Sequence, residues 1–317
     1  KRNSKIMCVL NDSDIDTHLF DRIMRYALGS EAEIDFVRVI DSYKSSSHFF
    51  NQSLTDIKLT LANQLKLNIS NKLNEISDVE CKCRILEGVW FIEVIKYALT
   101  HQVDMIFIIE PKLPSPDFKS NVMHIIRKSP IPVWWMKSDE CIRPIKILLY
   151  VDIDINNLAV RNANTKCLEL AQKLKYLYYD ECELTLAHCW SLPNEKYLKE
   201  SQNTTVIHQL DEMNRRERLF HEEWFHAFCE KNQHLELSHA YFINGEAAFE
   251  IPSLVSDENY NTLIINTVDD LSEKGLFISS ESETILQSIA HCSTVTIKPD
   301  GFISPIECVT EKVLTTK

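Results

Sequence analysis

Asp152 and Asp154 close the apolar run "KILLYVDID", which begins at Lys146, and Asn11 and Asp12 close "KIMCVLNDSD", which begins at Lys5. Carboxylates and amides at the end of a buried strand can do two kinds of work. At the carboxyl ends of an open parallel sheet they can hold the polar groups of a ligand, at the point where the strand order reverses. They can also cap the helix that follows, which Asp and Asn favour in any setting. The two roles are compatible. A second cluster follows a later apolar run. In "TLIINTVDDLSEKGLFISSESETILQS", Asp269 and Asp270 open the loop between a strand and a helix. That frame is where a phosphate cradle sits. A cradle needs closely approaching backbone N–H groups, and Asp269 and Asp270 instead bring two negative charges.

Other chemistry-bearing residues read as packing. The chain has five glycines, Gly29, Gly88, Gly245, Gly275 and Gly301, and no two share a loop. The patterns G-x-x-x-x-G-K-[ST], G-x-G-x-x-G and G-x-S-x-G are therefore excluded. "HEEWFH" (His221 to His226) has its histidines at i and i+5, about 140° apart on a helix, where a zinc helix needs i and i+4. His226 and Cys229 do share a face, but a solvated or packed helix face is the better reading, and no metal is expected. His188 and Cys189 are adjacent in a strand and point to opposite sides, so they cannot act as a nucleophile and its base. Cys81 and Cys83 of "CKC" alternate onto one strand face, which reads as a buried face.

The elements that must position these residues come in two matching sets. "KIMCVLNDSDIDTHLFDRIMRYAL" pairs with "KILLYVDIDINNLAVRNANTKCLELA", and "IDFVRVID" with "ELTLAHCW". "VDMIFIIE" corresponds to "NTLIINTV", and "HIIRKSPIPVWWMK" to "ILQSIAHCSTVTIK". Self-similarity at the spacing of a domain is a tandem duplication. Apolar strands alternating with amphipathic helices predict a parallel sheet covered on both faces. The expected domains are residues 1–140 and 144–308, joined through "KSDECIRPIK", with 309–317 as a tail. In "LTDIKLTLANQLKLNISNKLNEI" the spacing predicts a buried helical face of Leu54, Ile57, Leu61, Leu65, Leu73 and Ile76. The second half carries extra length between its second and third strands, including the charged helix of residues 207–233.

Composition narrows the function. The 317 residues carry a net charge of −12, which disfavours nucleic acid as a partner. No apolar run approaches the roughly 18 residues that span a bilayer. Ten cysteines without a C-x-x-C pair, and no export signal, read as reduced cytosolic thiols.

The duplicated pattern resembles the universal stress protein family. "KILLYVDID" looks like its first strand, and "TLIINTV" with "ILQSIAHCSTVTIKPD" looks like its fourth strand, last helix and last strand. "KPDGFISPI" and the tandem length look like the E-type tandem members of bacteria. The resemblance implies two five-stranded parallel α/β domains of the adenine nucleotide alpha hydrolase type, packed as an intrachain pseudo-dimer. Nucleotide-binding members carry G-x-x-G, nine residues, then G-[ST] after the fourth strand. That pattern falls on Asn266, Asp269, Ser279 and Ser280, so all three glycines are replaced and only the last hydroxyl survives. The adenine-side aspartate falls on Asp152 in the second half and on Asn11 in the first. The first-half loop "IIEPKLPSPDFKSN" has no glycine.

The expected function is therefore that of a cytoplasmic, non-enzymatic stress-response protein with degenerate nucleotide-binding loops. It would use no cofactor and no ATP, and would act through a protein partner or a small ligand, with a homodimer as a further option. One alternative is an apolar or acyl-ligand module lined by Leu113, Phe118, Leu276, Phe277 and Ile278. The other is an ATP-binding switch or weak ATPase.

Overall fold

A computed structural model describes residues 4–11, 16–41, 48–73, 81–137, 145–178, 182–192, 195, 200, 204–268 and 278–306. The first half runs β1 (Ser4–Val9), α1 (Thr17–Gly29), β2 (Ala32–Ile40), α2 (His48–Leu73), β3 (Cys81–Glu87), α3 (Trp90–Thr100), β4 (Met105–Ile109), α4 (Pro116–Lys128) and β5 (Val133–Met136). The second runs β6 (Ile145–Tyr150), α5 (Leu158–Leu177), β7 (Cys182–Trp190), α6 (Thr204–Lys231), β8 (His239–Asn244), α7 (Ala247–Asp257), β9 (Thr262–Asn266), α8 (Ser280–Ser288) and β10 (Ser293–Ile297).

All ten strands form one sheet, ordered β3-β2-β1-β4-β5-β10-β9-β6-β7-β8. Each half is an all-parallel unit in which the strand order reverses between its first and fourth strands. The halves meet through β5 and β10, which pair antiparallel with Trp134 opposite Val295. The strand "MIFII", apolar throughout, and "TLIIN", apolar at its three central positions, are buried at every position, as parallel strands covered on both faces are.

Helices cover both faces. On one, α1, α2, α5 and α6 pack over Phe20, Phe36, Trp134, Leu149 and Phe225. On the other, α3, α4, α7 and α8 pack over Val94, Ile126, Trp135, Leu148 and Ile285. Trp134 and Trp135 are neighbours in β5 and go to opposite cores, as strand alternation requires. The junction of the halves is also tied through helices. The Tyr178 hydroxyl donates to the Arg22 carbonyl at 2.8 Å, and Arg127 of α4 forks onto Glu283 of α8.

The duplication shows in backbone detail. Gly88 and Gly245 follow β3 and β8 with φ of +146° and +157°, and a Cβ at either would sit within 2.8 Å of the glutamate five residues on, Glu93 or Glu250. Both halves also place a long helix between their second and third strands. Helix α6 is thus the counterpart of α2, and the extra length of the second half lies around it.

The predicted face of α2 is shifted. Leu65 and Ile69 are buried and Leu61 is half-buried, but Ile57 is 49% exposed. The helix meets the sheet only along its later turns, so the apolar spacing overstates how far the contact reaches. The side chains of Leu54 and Leu73, and Ile76, lie outside the described residues.

Candidate functional site

The second-half crevice lies where β6 and β9 diverge. Two residues past β6, Asp152 turns its Oδ1 onto the N–H of Ile153 at 2.7 Å, and its carbonyl accepts from Asn164 Nδ2 at 2.8 Å. Asn164 is fully buried on α5 and is the polar member of a stripe that also holds Val160, Ala163, Cys167, Leu170, Ala171 and Leu174. Its Oδ1 accepts from Asn266 Nδ2 at 3.1 Å, across from the end of β9. Asn266 Oδ1 accepts from the N–H of Val268, and its carbonyl accepts from the Ser282 hydroxyl at 3.1 Å. Ser279 closes the network by donating to Ser282 Oγ at 2.7 Å, while its own Oγ caps α8 by accepting from the Ser282 N–H.

The start of α8 is the place where an anion would gain from the helix dipole. Here the helix supplies its own anions, Glu281 and Glu283, in its first turn. Tyr150 donates its hydroxyl to Glu281 Oε1 at 3.1 Å. Burial, with Asp152 and Glu281 close by, pushes the Tyr150 phenol well above its ordinary value, so it stays a donor. Of the residues singled out in the sequence, Asp152, Asn266 and Ser279 come together in this network. Ser280 is exposed at the first turn of α8. Asp269 and Asp270 lie outside the described residues.

The other side of the crevice is more open. A cavity of about 350 Å³ lies between α5 and α6, with Asp154, Asn164, Arg161, Trp224 and Phe228 among its walls. The Trp224 indole N–H donates to Asp154 Oδ1 at 2.8 Å, so the second acid of "VDID" anchors α6.

Beside it runs a histidine relay that the sequence reading did not find. His188 is fully buried, with Nδ1 2.9 Å from the Val151 carbonyl and Nε2 2.8 Å from His221 Nδ1. His221 Nε2 lies 3.2 Å from Glu217 Oε1. A carbonyl accepts, so His188 carries its proton on Nδ1 and accepts through Nε2. Burial holds the His188 imidazole down at about 4, with His221 adding to the effect. Cys189 points into the opposite core, as alternation predicted. Cys81 and Cys83 are partly buried on one face of β3. Among the described residues, no cluster of three metal-ligating side chains occurs, and none forms around His226.

Among the described residues, the corresponding crevice of the first half has no such network. Asn11 sits two residues past β1, as Asp152 does past β6, and its Nδ2 is buried without a hydrogen-bond partner. The positions matching Asn164 and Asn266 are Ile23 and Ile109, both in the core. Three of the five residues expected to line an apolar cleft are described. Leu113 is 93% exposed, while Phe118 and Ile278 are buried in the core. Leu276 and Phe277 lie outside the described residues.

Two linked five-stranded parallel units, each with a crevice where its strand order reverses, define a tandem doubly wound α/β protein. Residues 2–137 match the model of the universal stress protein family. The match covers the first half of the chain, and the second half repeats its fold. Solved structures align along nearly the whole chain. A protein of unknown function from Pseudomonas aeruginosa shares 16% identity at TM-score 0.62, covering 99% of this chain and 97% of its own. A second P. aeruginosa structure, described as a universal stress protein, also shares 16% at TM-score 0.63, covering 99% and 98%. A universal stress protein from Archaeoglobus fulgidus shares 13% at TM-score 0.59, covering 94% and 97%. No curated protein matches the chain in sequence. Among the described residues, no helix is long and apolar enough to cross a membrane.

Proposed function

We propose that the chain is a cytoplasmic, non-enzymatic stress-response protein whose second-half nucleotide site is closed on its phosphate side by the protein's own side chains. It acts through a protein partner, or through a small ligand that lacks a phosphate chain. The observation that carries this reading is the occupied start of α8. Ser279 caps it, Glu281 binds Tyr150, and Asn266 ties the end of β9 to Asn164 and Ser282. A triphosphate placed there would meet two glutamates in a partly buried setting, where like charges repel more strongly than in water. The space between α5 and α6 stays open, so a ligand without phosphates has room. No cofactor and no catalytic residue is part of this reading.

Isothermal titration calorimetry of the intact chain with ATP and magnesium tests it. The expected result is no saturable heat. Stoichiometric binding that is lost in both Asp152→Ala and Ser280→Ala would overturn the reading and restore the nucleotide switch.

A further inference from the structure

A cavity of about 350 Å³ opens where the halves join, and it shares no residue with the strand-end network. Helix α4 lines it with Lys119, Met123 and Arg127, one helical stripe at i, i+4 and i+8. Helix α8 adds Leu286, and the end of β5 adds Trp135 and Lys137. Met123, Leu286 and Trp135 are buried, so the floor is apolar. The rim is cationic. This size is at the lower end of small-molecule sites, which combine such a floor with few polar groups.

The charges around the cavity do not cancel. Arg127 is matched by Glu283 across the junction. Lys137 is buried, with Nζ 2.7 Å from Glu110 Oε2 and 3.3 Å from the centre of the Trp135 ring. Lys119 has no ion-pair partner among the described residues, and it lies close enough to Lys137 to oppose that lysine's charge. Three cations therefore face two carboxylates, in a chain whose overall charge is −12. The indole N–H of Trp135 is buried and has no hydrogen-bond partner. A buried indole N–H ordinarily finds one. A single negative charge carried on an apolar body would meet the excess cation and cover the apolar floor.

We propose that this junction cavity binds a small organic monocarboxylate, with its carboxylate at Lys119 and its apolar body against Met123, Leu286 and Trp135. Because α4 and α8 belong to different halves, such a ligand bridges them. The proposal stands whether or not the strand-end crevice takes nucleotide.

Calorimetry of the full chain with octanoate tests it, with octanol as the neutral counterpart and inorganic phosphate as the anion without an apolar body. Octanoate should bind at one site per chain, about tenfold more tightly than octanol, the size of one charged hydrogen bond. Lys119→Gln should weaken octanoate by about tenfold. Gln287→Trp, an exposed rim position that would fill the cavity, should abolish binding with the fold intact by circular dichroism. No saturable octanoate binding, equal affinity for octanol or for phosphate, or binding unchanged in either variant would overturn the proposal.

Discussion

Asn266 Nδ2 donates to Asn164 Oδ1 at 3.1 Å, and this bond joins β9 to α5 across the point where the strand order reverses. Two buried amides satisfy each other there, with Ser282 and the Asp152 carbonyl completing the set.

Breaking that bond should cost stability without opening a nucleotide site. Asn164→Ala leaves the Asn266 amide buried with its donor unpaired, a loss of about 1–3 kcal/mol. Urea denaturation should show a lower midpoint with an unchanged slope, and ATP should still produce no heat.

The two buried lysines after the last strands are counterparts with different fates. The N–H groups of Glu110 and Thr267 bond the carbonyls of Met136 and Ile297, which fixes Glu110–Lys137 and Thr267–Lys298 as equivalent pairs. Lys137 has a carboxylate, whereas Lys298 has the Thr267 hydroxyl at 3.0 Å and the Phe302 ring at 4.7 Å. Glu110→Gln should therefore cost about 3–5 kcal/mol, because it strands a buried ammonium. A loss below about 1 kcal/mol by chemical denaturation would show that Lys137 reaches water.

Burial brings the Lys298 ammonium down to about 8, against 10.5 in the unfolded chain. Between those values the unfolded chain binds the extra proton, so stability rises with pH from about 8 to about 10.5. Lys298→Met should be more stable than the parent at neutral pH, by roughly 2–3 kcal/mol, with the gap closing toward pH 10.5. A pH-independent difference would contradict the assignment.

His188 works in the acidic range. Burial brings its imidazole down to about 4 in the folded chain, against the ordinary 6.5 when unfolded. The unfolded chain takes up the proton first as pH falls, so stability should decline from about pH 6.5 to about 4 and then level off. His221→Ala removes the partner of His188 Nε2 and should cost about 1–3 kcal/mol at neutral pH. Thermal melts across this range read both effects.

Much of the fold was legible because parallel strands buried on both faces are continuous apolar runs, and the two halves repeat the same order of runs. Asp152 was legible because it follows such a run, and Asn266 and Ser279 because the glycine pattern of the resembled family falls on them. Asn164 was missed because it lies inside a helical stripe that reads as core; its signal was a lone amide among Val160, Ala163 and Cys167. The His188–His221 contact joins residues 33 apart on different elements, and no local spacing announces it. "HEEWFH" drew attention to His221 for a metal, whereas the residue serves a buried relay. The face of α2 was misplaced for the opposite reason: apolar spacing continued past the end of the surface it covers.

Native mass spectrometry of the chain, purified gently from cells without added ligand, tests the central claim most directly. A closed phosphate side predicts no mass corresponding to AMP, ADP or ATP on the folded protein. A retained adenine nucleotide at one per chain would contradict it.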